Sequence, residues 1–178
     1  MTIRSLFGHG WLALMSGVVY VISQSMIASV LHPSGADPLL LQFQFTYNAT
    51  GFAALLSSIT ADQLAALQGH FAYDHIHPLW YGLLIVSLTA WLLKKNQLSA
   101  RWDVLIWMGI LPSVLDVIEN TIHEPWFQGM AVPSDPLTAV AGVCATLKWS
   151  MAALYLLFAI VLGVRAFLTR HQTTVATA

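Results

Sequence analysis

Four stretches of the chain are almost wholly apolar, at about residues 11–31, 76–94, 102–121 and 137–167. A helix needs roughly 20 predominantly apolar residues to cross the hydrocarbon core of a bilayer. The first and fourth stretches reach that length alone. In the second and third, the uninterrupted runs (78–93 and about 104–118) fall short. They span only if their polar ends, DHIHP and DVIEN, lie at or below one interface. Residues 32–75 then form a long outer connection. Its PLLLQFQFTY run (38–47) alternates apolar and polar residues at its end and predicts an extended piece. NATGFAALLSSI reads as a short amphipathic helix, and TADQLAALQGHF sets Thr60 and Gln63 at capping-box spacing. Helices this apolar belong on the outer membrane face or as a cap on the bundle. The expected fold is all-α: a polytopic membrane protein, a four-transmembrane-helix bundle with a structured, partly helical outer loop. Residues 1–178 make one membrane domain.

Composition points the same way. Of 178 residues, 57% are hydrophobic and 8% are charged, against about 25% charged in a soluble domain. The mean hydropathy is +0.70. A formal net charge of -1 argues against a nucleic-acid partner. The bilayer is the expected surrounding, with a lipid-like small molecule, a membrane-protein partner or a second copy of the chain as further candidates. The single cysteine, Cys144, lies inside an apolar run and reads as packing. Arg4 before the first apolar stretch also suits a signal peptide. That stretch is longer than the usual h-region of about 7–15 residues, and no small-x-small site follows it, which favours a retained span.

Charge placement gives an orientation. Arg4, Lys94, Lys95, Arg101, Arg165 and Arg170 all fall on one side of a four-span arrangement, six of the seven basic residues. By the positive-inside rule that side is cytoplasmic, so the expectation is a multi-pass protein of the inner (plasma) membrane with both termini inside. The connections at 32–77 and 124–136 then face outward, and neither holds a Lys or Arg. The Asn48-Ala49-Thr50 sequon in the first carries little weight.

Chemistry concentrates in the outer half. Asp116, Glu119, Asn120 and His123 recur at i, i+3, i+4 and i+7 and form one helical stripe. Pro112, one turn earlier, predicts a kink. An intramembrane carboxylate costs about 2.5–3.5 kcal/mol even on the lenient insertion scale, so it calls for a partner or a proton. Lys148, in the middle of the fourth stretch, is the available partner. In FAYDHIHPLWYG, Pro78 suits a first helical turn, with His77 held out of the helix ahead of it. Asp74 and His77 then lie at the mouth of the second span, and Tyr81 lies one turn in.

Catalytic candidates are therefore Asp116, Glu119, Asp74, Lys148 and Tyr81. Asn120, His77, His123, Trp80 and Trp149 are candidate substrate-binding residues. Each has a plainer reading. Asp74, His75 or His77 could only cap a helix. His123 and Asn120 could mark a helix end. Lys148 with Glu119 or Asp116 could be a structural ion pair. The tryptophans could be interfacial anchors. A metal site drawing on Asp74, His75, His77, Asp116, Glu119 and His123 is a weaker option, because Asp116 and His123 differ by about 10 Å in height. No HExxH or multi-cysteine motif is present, so neither a metal nor another cofactor is expected.

The pieces D-H-I-H-P-L-W-Y-G, L-D-V-I-E-N and T-L-K-W resemble the recurring pattern of a group of small four-span bacterial membrane proteins without a characterised activity. The resemblance covers roughly residues 41–164. It groups Asp74, Pro78, Tyr81, Asp116, Glu119, Asn120 and Lys148 as one set and implies no reaction. A looser likeness, of architecture alone, is to sterol isomerases and membrane terpene cyclases, which manage carbocations with carboxylates and aromatic rings. The expected function is acid–base chemistry, as an isomerase, cyclase or hydrolase, on a lipid or isoprenoid-like substrate. The alternative is a non-catalytic accessory protein whose polar cluster locks helix packing. A proton-coupled transporter subunit is the third class, and with no internal repeat it would have to oligomerise.

Overall fold

A computed structural model describes residues 2–175, with side-chain surroundings through residue 169. Every regular element among the described residues is helical. A short α1 (Ile3–Phe7) precedes the long α2 (Gly10–Leu31). Four short helices follow, α3 (Asp37–Gln44), α4 (Ala49–Ser58), α5 (Ala61–Gly69) and α6 (Phe71–Asp74). Then come α7 (His77–Lys95), α8 (Val104–Met108), α9 (Leu111–Phe127) and α10 (Asp135–Val175).

Three helical stretches, Gly10–Ser34, Ala100–Phe127 and Asp135–Thr169, are long and apolar enough to cross a membrane. A fourth candidate is the pair Ala61–Asp74 and His77–Lys95, bent by 50° at the break between them. The side-chain arrangement fits lipid rather than water. On α9 the charged stripe is buried, while Val114, Val117 and Ile118 on other faces are exposed. Leu154, Leu157, Val161 and Val164 of α10 are likewise exposed, as are Leu14, Val18 and Val21 of α2. Apolar surface on this scale marks an environment other than water.

α7 is the central helix, packed against α2, α9 and α10, with α10 lying along α9. Small polar side chains join α2 to α7. Ser16 Oγ lies 3.1 Å from Ser87 Oγ, and Ser23 Oγ lies 3.0 Å from His77 Nδ1. Such contacts hold helices together where no hydrophobic driving force separates protein from surroundings.

Two apolar cores sit at opposite ends. One gathers Val86, Ala90, Leu93, Ile106 and Leu162. Beside it Arg4 ion-pairs with Asp103 and donates to the Leu98 and Ser99 carbonyls, tying α1 to the α7–α8 connection. The other joins the end of α2 and the end of α9 to the short helices through Phe43, Phe52, Leu67, Phe71, Trp126 and Phe127. Phe52 is fully buried, with its ring 4.8 Å from Phe43 and 4.9 Å from Trp126 between centroids.

The connection between α2 and α7 is thus an ordered cap. Asn48 caps α4 through its side chain, and Thr60 and Gln63 form the expected reciprocal box at α5. The extended reading of 38–47 is wrong. Asp37–Gln44 is helical, with Pro38 in the first turn, and Leu39, Leu40 and Phe43 meet the core at helical spacing. His77 opens α7 rather than standing outside it, and its N-cap is Ile76, so none of Asp74, His75 or His77 caps that helix. The third span is longer than 102–121. It breaks at Gly109 and Ile110, just ahead of Pro112, and then runs on to Phe127 with Pro125 inside it. The stripe therefore occupies a helix interior, not a helix end.

Candidate functional site

The stripe on α9 faces α10 and α7. Lys148 Nζ donates to Asp116 Oδ1 at 2.6 Å and lies 2.7 Å from Glu119 Oε2. Both contacts are close ion pairs. All three groups are buried, Glu119 completely. Two carboxyl groups thus share one ammonium.

Tyr81 comes from α7, where its hydroxyl lies 3.1 Å from Asp116 Oδ2 and 2.9 Å from the Pro112 carbonyl. One proton serves both acceptors, so Asp116 is held from two sides by Lys148 and Tyr81. The His77 ring meets Tyr20 and Tyr81 in tilted contacts, at 5.5 and 5.3 Å between ring centroids, while Ser23 engages its Nδ1. Asp74 is buried at the break between α6 and α7. The Asp74 carbonyl accepts from Asn120 Nδ2 at 3.4 Å, and its Oδ2 lies 3.6 Å from His70 Nε2.

These groups meet one cavity of about 690 Å³ bounded by α2, α3, α7, α9 and α10. Asp74, His77, Tyr81, Asp116, Lys148 and Trp149 line it. Trp149 also donates from Nε1 to Gln44 Oε1 at 3.0 Å, and its ring lies 5.7 Å from Lys148 Nζ. Not every candidate reaches this space. Glu119 stands behind Lys148. His123 is enclosed by Phe52, Trp126 and Phe127, with its Nδ1 3.8 Å from Glu119 Oε1. Asn120 touches Asp74 without lining the cavity, and Trp80 is half-buried away from it.

Sequence reasoning missed several members. Tyr20 and Gln24 of α2, Asp37 and Gln44 of α3, and Tyr155 of α10 line the same cavity. Tyr20, Ser23 and Gln24 carried a signal, being polar groups clustered on one side of an otherwise apolar span. Buried His70 was also missed. Its Nδ1 lies 2.5 Å from the Leu67 carbonyl, and its other nitrogen has no hydrogen-bond partner. Among the described residues, no group of three or more His, Cys, Asp and Glu side chains is arranged to hold a metal ion.

No family model matches this chain, and neither a curated protein nor a solved structure matches it.

Proposed function

We propose that the chain is a four-span integral membrane protein whose cavity performs acid–base chemistry on a lipid or isoprenoid-like substrate. The observation that carries this reading is the single cavity in which two carboxylates, Asp74 and Asp116, meet a lysine, a tyrosine and a histidine beside apolar walls. A proton delivered to one carbon of an alkene leaves a cation on the other, and loss of a proton from the allylic carbon beyond that cation moves the double bond one position with no cofactor. Asp116, held by Lys148 and Tyr81, suits the accepting carboxylate, and Asp74 is the second proton-carrying group. Glu119 does not reach the cavity, so it acts as a positioning residue through Lys148. An N-terminus on the cytoplasmic side fits the contact of Arg4 with residues 98–103, which puts α1 at the end that carries Lys94, Lys95 and Arg101.

The test is made in deuterated water. Protein in nanodiscs is incubated with a lipid extract, and carbon-bound deuterium is followed by mass spectrometry. Deuterium should enter an unsaturated lipid in the unaltered protein and not in Asp116→Asn. Equal incorporation in both, or none in either, would sink the catalytic reading.

The second reading is a packing lock in a non-catalytic accessory protein. The complete burial of Glu119 against Lys148, outside the cavity, favours it.

A further inference from the structure

The cavity has a direction. Its polar end holds Asp74, Asp116 and Lys148, and it runs past Leu84 and Leu88 of α7 to Leu156 and Ala159 of α10. Lys148 and Ala159 are about 16 Å apart along the helix axis, roughly half of the ~30 Å hydrocarbon core. Ala28, Ala152 and Ala153 leave its width open. Three lining residues, Leu41, Trp149 and Leu156, are 44%, 47% and 63% exposed. The cavity therefore opens sideways onto the apolar flank, where a single chain could enter from the bilayer.

The polar end is unbalanced in charge. Asp37, Asp74 and Asp116 line the cavity; His77 lines it too, Asp37 lies 3.3 Å from His32 Nδ1, and among the described residues Lys148 is the one Lys or Arg that lines it. That lysine already serves both Asp116 and Glu119. Among the described residues no Lys or Arg lies within ion-pair distance of buried Asp74, which has His70 Nε2 at 3.6 Å. Tyr20, Tyr81 and Trp149 add aromatic rings around the same space. An anionic head would meet two carboxyl groups in a low-dielectric pocket, whereas an amine head takes the proton of Asp74, pairs with it as ammonium and carboxylate, and finds ring faces beside it.

We propose that the cavity takes a single-chain amphiphile with a basic amine head. The ammonium sits between Asp74 and Asp116, and the tail lies along α10 toward Ala159. This rests on the reading of the cavity as a ligand site, and it adds the chemical class of the head.

Protein in phosphatidylcholine nanodiscs is titrated with dodecylamine, dodecanol and dodecanoate, and bound probe is counted by native mass spectrometry. The amine should bind one-to-one, about tenfold or more tighter than the alcohol, with no saturable binding of dodecanoate. Asp74→Asn should bring the amine close to the alcohol. Asp37→Asn, a change at the exposed rim that leaves the buried cluster intact, should weaken the amine by a smaller factor. Ala153→Trp, which fills the tail path, should remove one-to-one binding of amine and alcohol alike. Dodecanoate binding as tightly as the amine, or an unchanged amine affinity in both aspartate variants, would overturn the head-group assignment and leave the cavity standing. If none of the three probes binds the unaltered protein one-to-one, both this inference and the cavity's role as a ligand site fall.

Discussion

Gly82 on α7 lies so close to Ser113 on α9 that a Cβ added at the glycine would fall 2.2 Å from Ser113 Oγ and 3.2 Å from its Cβ. This approach is one residue from Tyr81 and one turn from Asp116. The missing side chain is what lets the Tyr81 hydroxyl reach Asp116 and the Pro112 carbonyl.

Gly82→Ala should therefore force the two helices apart or Ser113 out of its rotamer, at a cost of about 1–3 kcal/mol. Ser113→Ala removes the nearer obstacle. The double variant should recover most of the loss, a coupling that a double-mutant cycle on thermal unfolding measures directly. Strict additivity would mean that the contact does not limit packing.

The cap offers a second test. Phe52→Ala leaves a cavity among Phe43, Trp126 and Phe127 and should destabilise the outer core by about 3–5 kcal/mol. Amide exchange should be slow across 49–69 in the unaltered protein and accelerate there in the variant. Fast exchange in both would show that the short helices are not docked.

Much of this arrangement was legible in the sequence, for physical reasons. The first and fourth spans were readable because hydrocarbon length is a coarse constraint that composition satisfies plainly. The i, i+3, i+4, i+7 spacing put Asp116, Glu119, Asn120 and His123 on one face, and Lys148 was the available cation. Where each side chain points was not legible. Periodicity assigns Glu119 and Asp116 to one stripe, but only the packing of α10 puts Asp116 on the cavity wall and Glu119 behind it. α3 was misread because the one Leu41-Gln42-Phe43-Gln44 run mimics a period of 2 over too short a window. The third stretch looked too short because its uninterrupted apolar run ends at the polar stripe, whereas the stripe is the buried face of a longer helix.

Orientation can be read by cysteine labelling. Val132 (85% exposed) lies in the α9–α10 connection, and Ser99 is exposed in the α7–α8 connection. Cys144 is buried and is first changed to Ala to clear the background. In intact cells a membrane-impermeant maleimide should label Val132→Cys and spare Ser99→Cys until the membrane is opened. The reverse pattern would invert the proposed topology.

The two carboxylates should separate in function. Asp116→Asn changes a group on the cavity wall, so it should abolish deuterium incorporation while leaving the fold assembled. Glu119→Gln changes a group that acts only through Lys148. It should lower turnover by altering how Lys148 holds Asp116, with a smaller effect on substrate affinity. Equal and complete loss in both, with both proteins folded, would return Glu119 to the reacting centre.

Lys148 decides how far the cluster is a structural lock. Removing one partner from a buried ion pair leaves an uncompensated charge and costs about 3–5 kcal/mol, whereas replacing all partners with neutral groups is close to neutral. Lys148→Met should thus destabilise the packing of α9 on α10 strongly, because Asp116 and Glu119 lose their shared ammonium. Tyr81 still donates to Asp116, whereas the group left nearest to Glu119 is His123 at 3.8 Å, so Glu119 should be the main source of the loss. Adding Glu119→Gln to Lys148→Met should therefore restore more stability than adding Asp116→Asn, and the triple neutral variant should recover nearly all of it. Thermal unfolding in nanodiscs ranks the four proteins. If Lys148→Met alone unfolds like the unaltered chain, the pairing contributes nothing to assembly, and the energetic reason for burying two carboxylates must lie with a ligand.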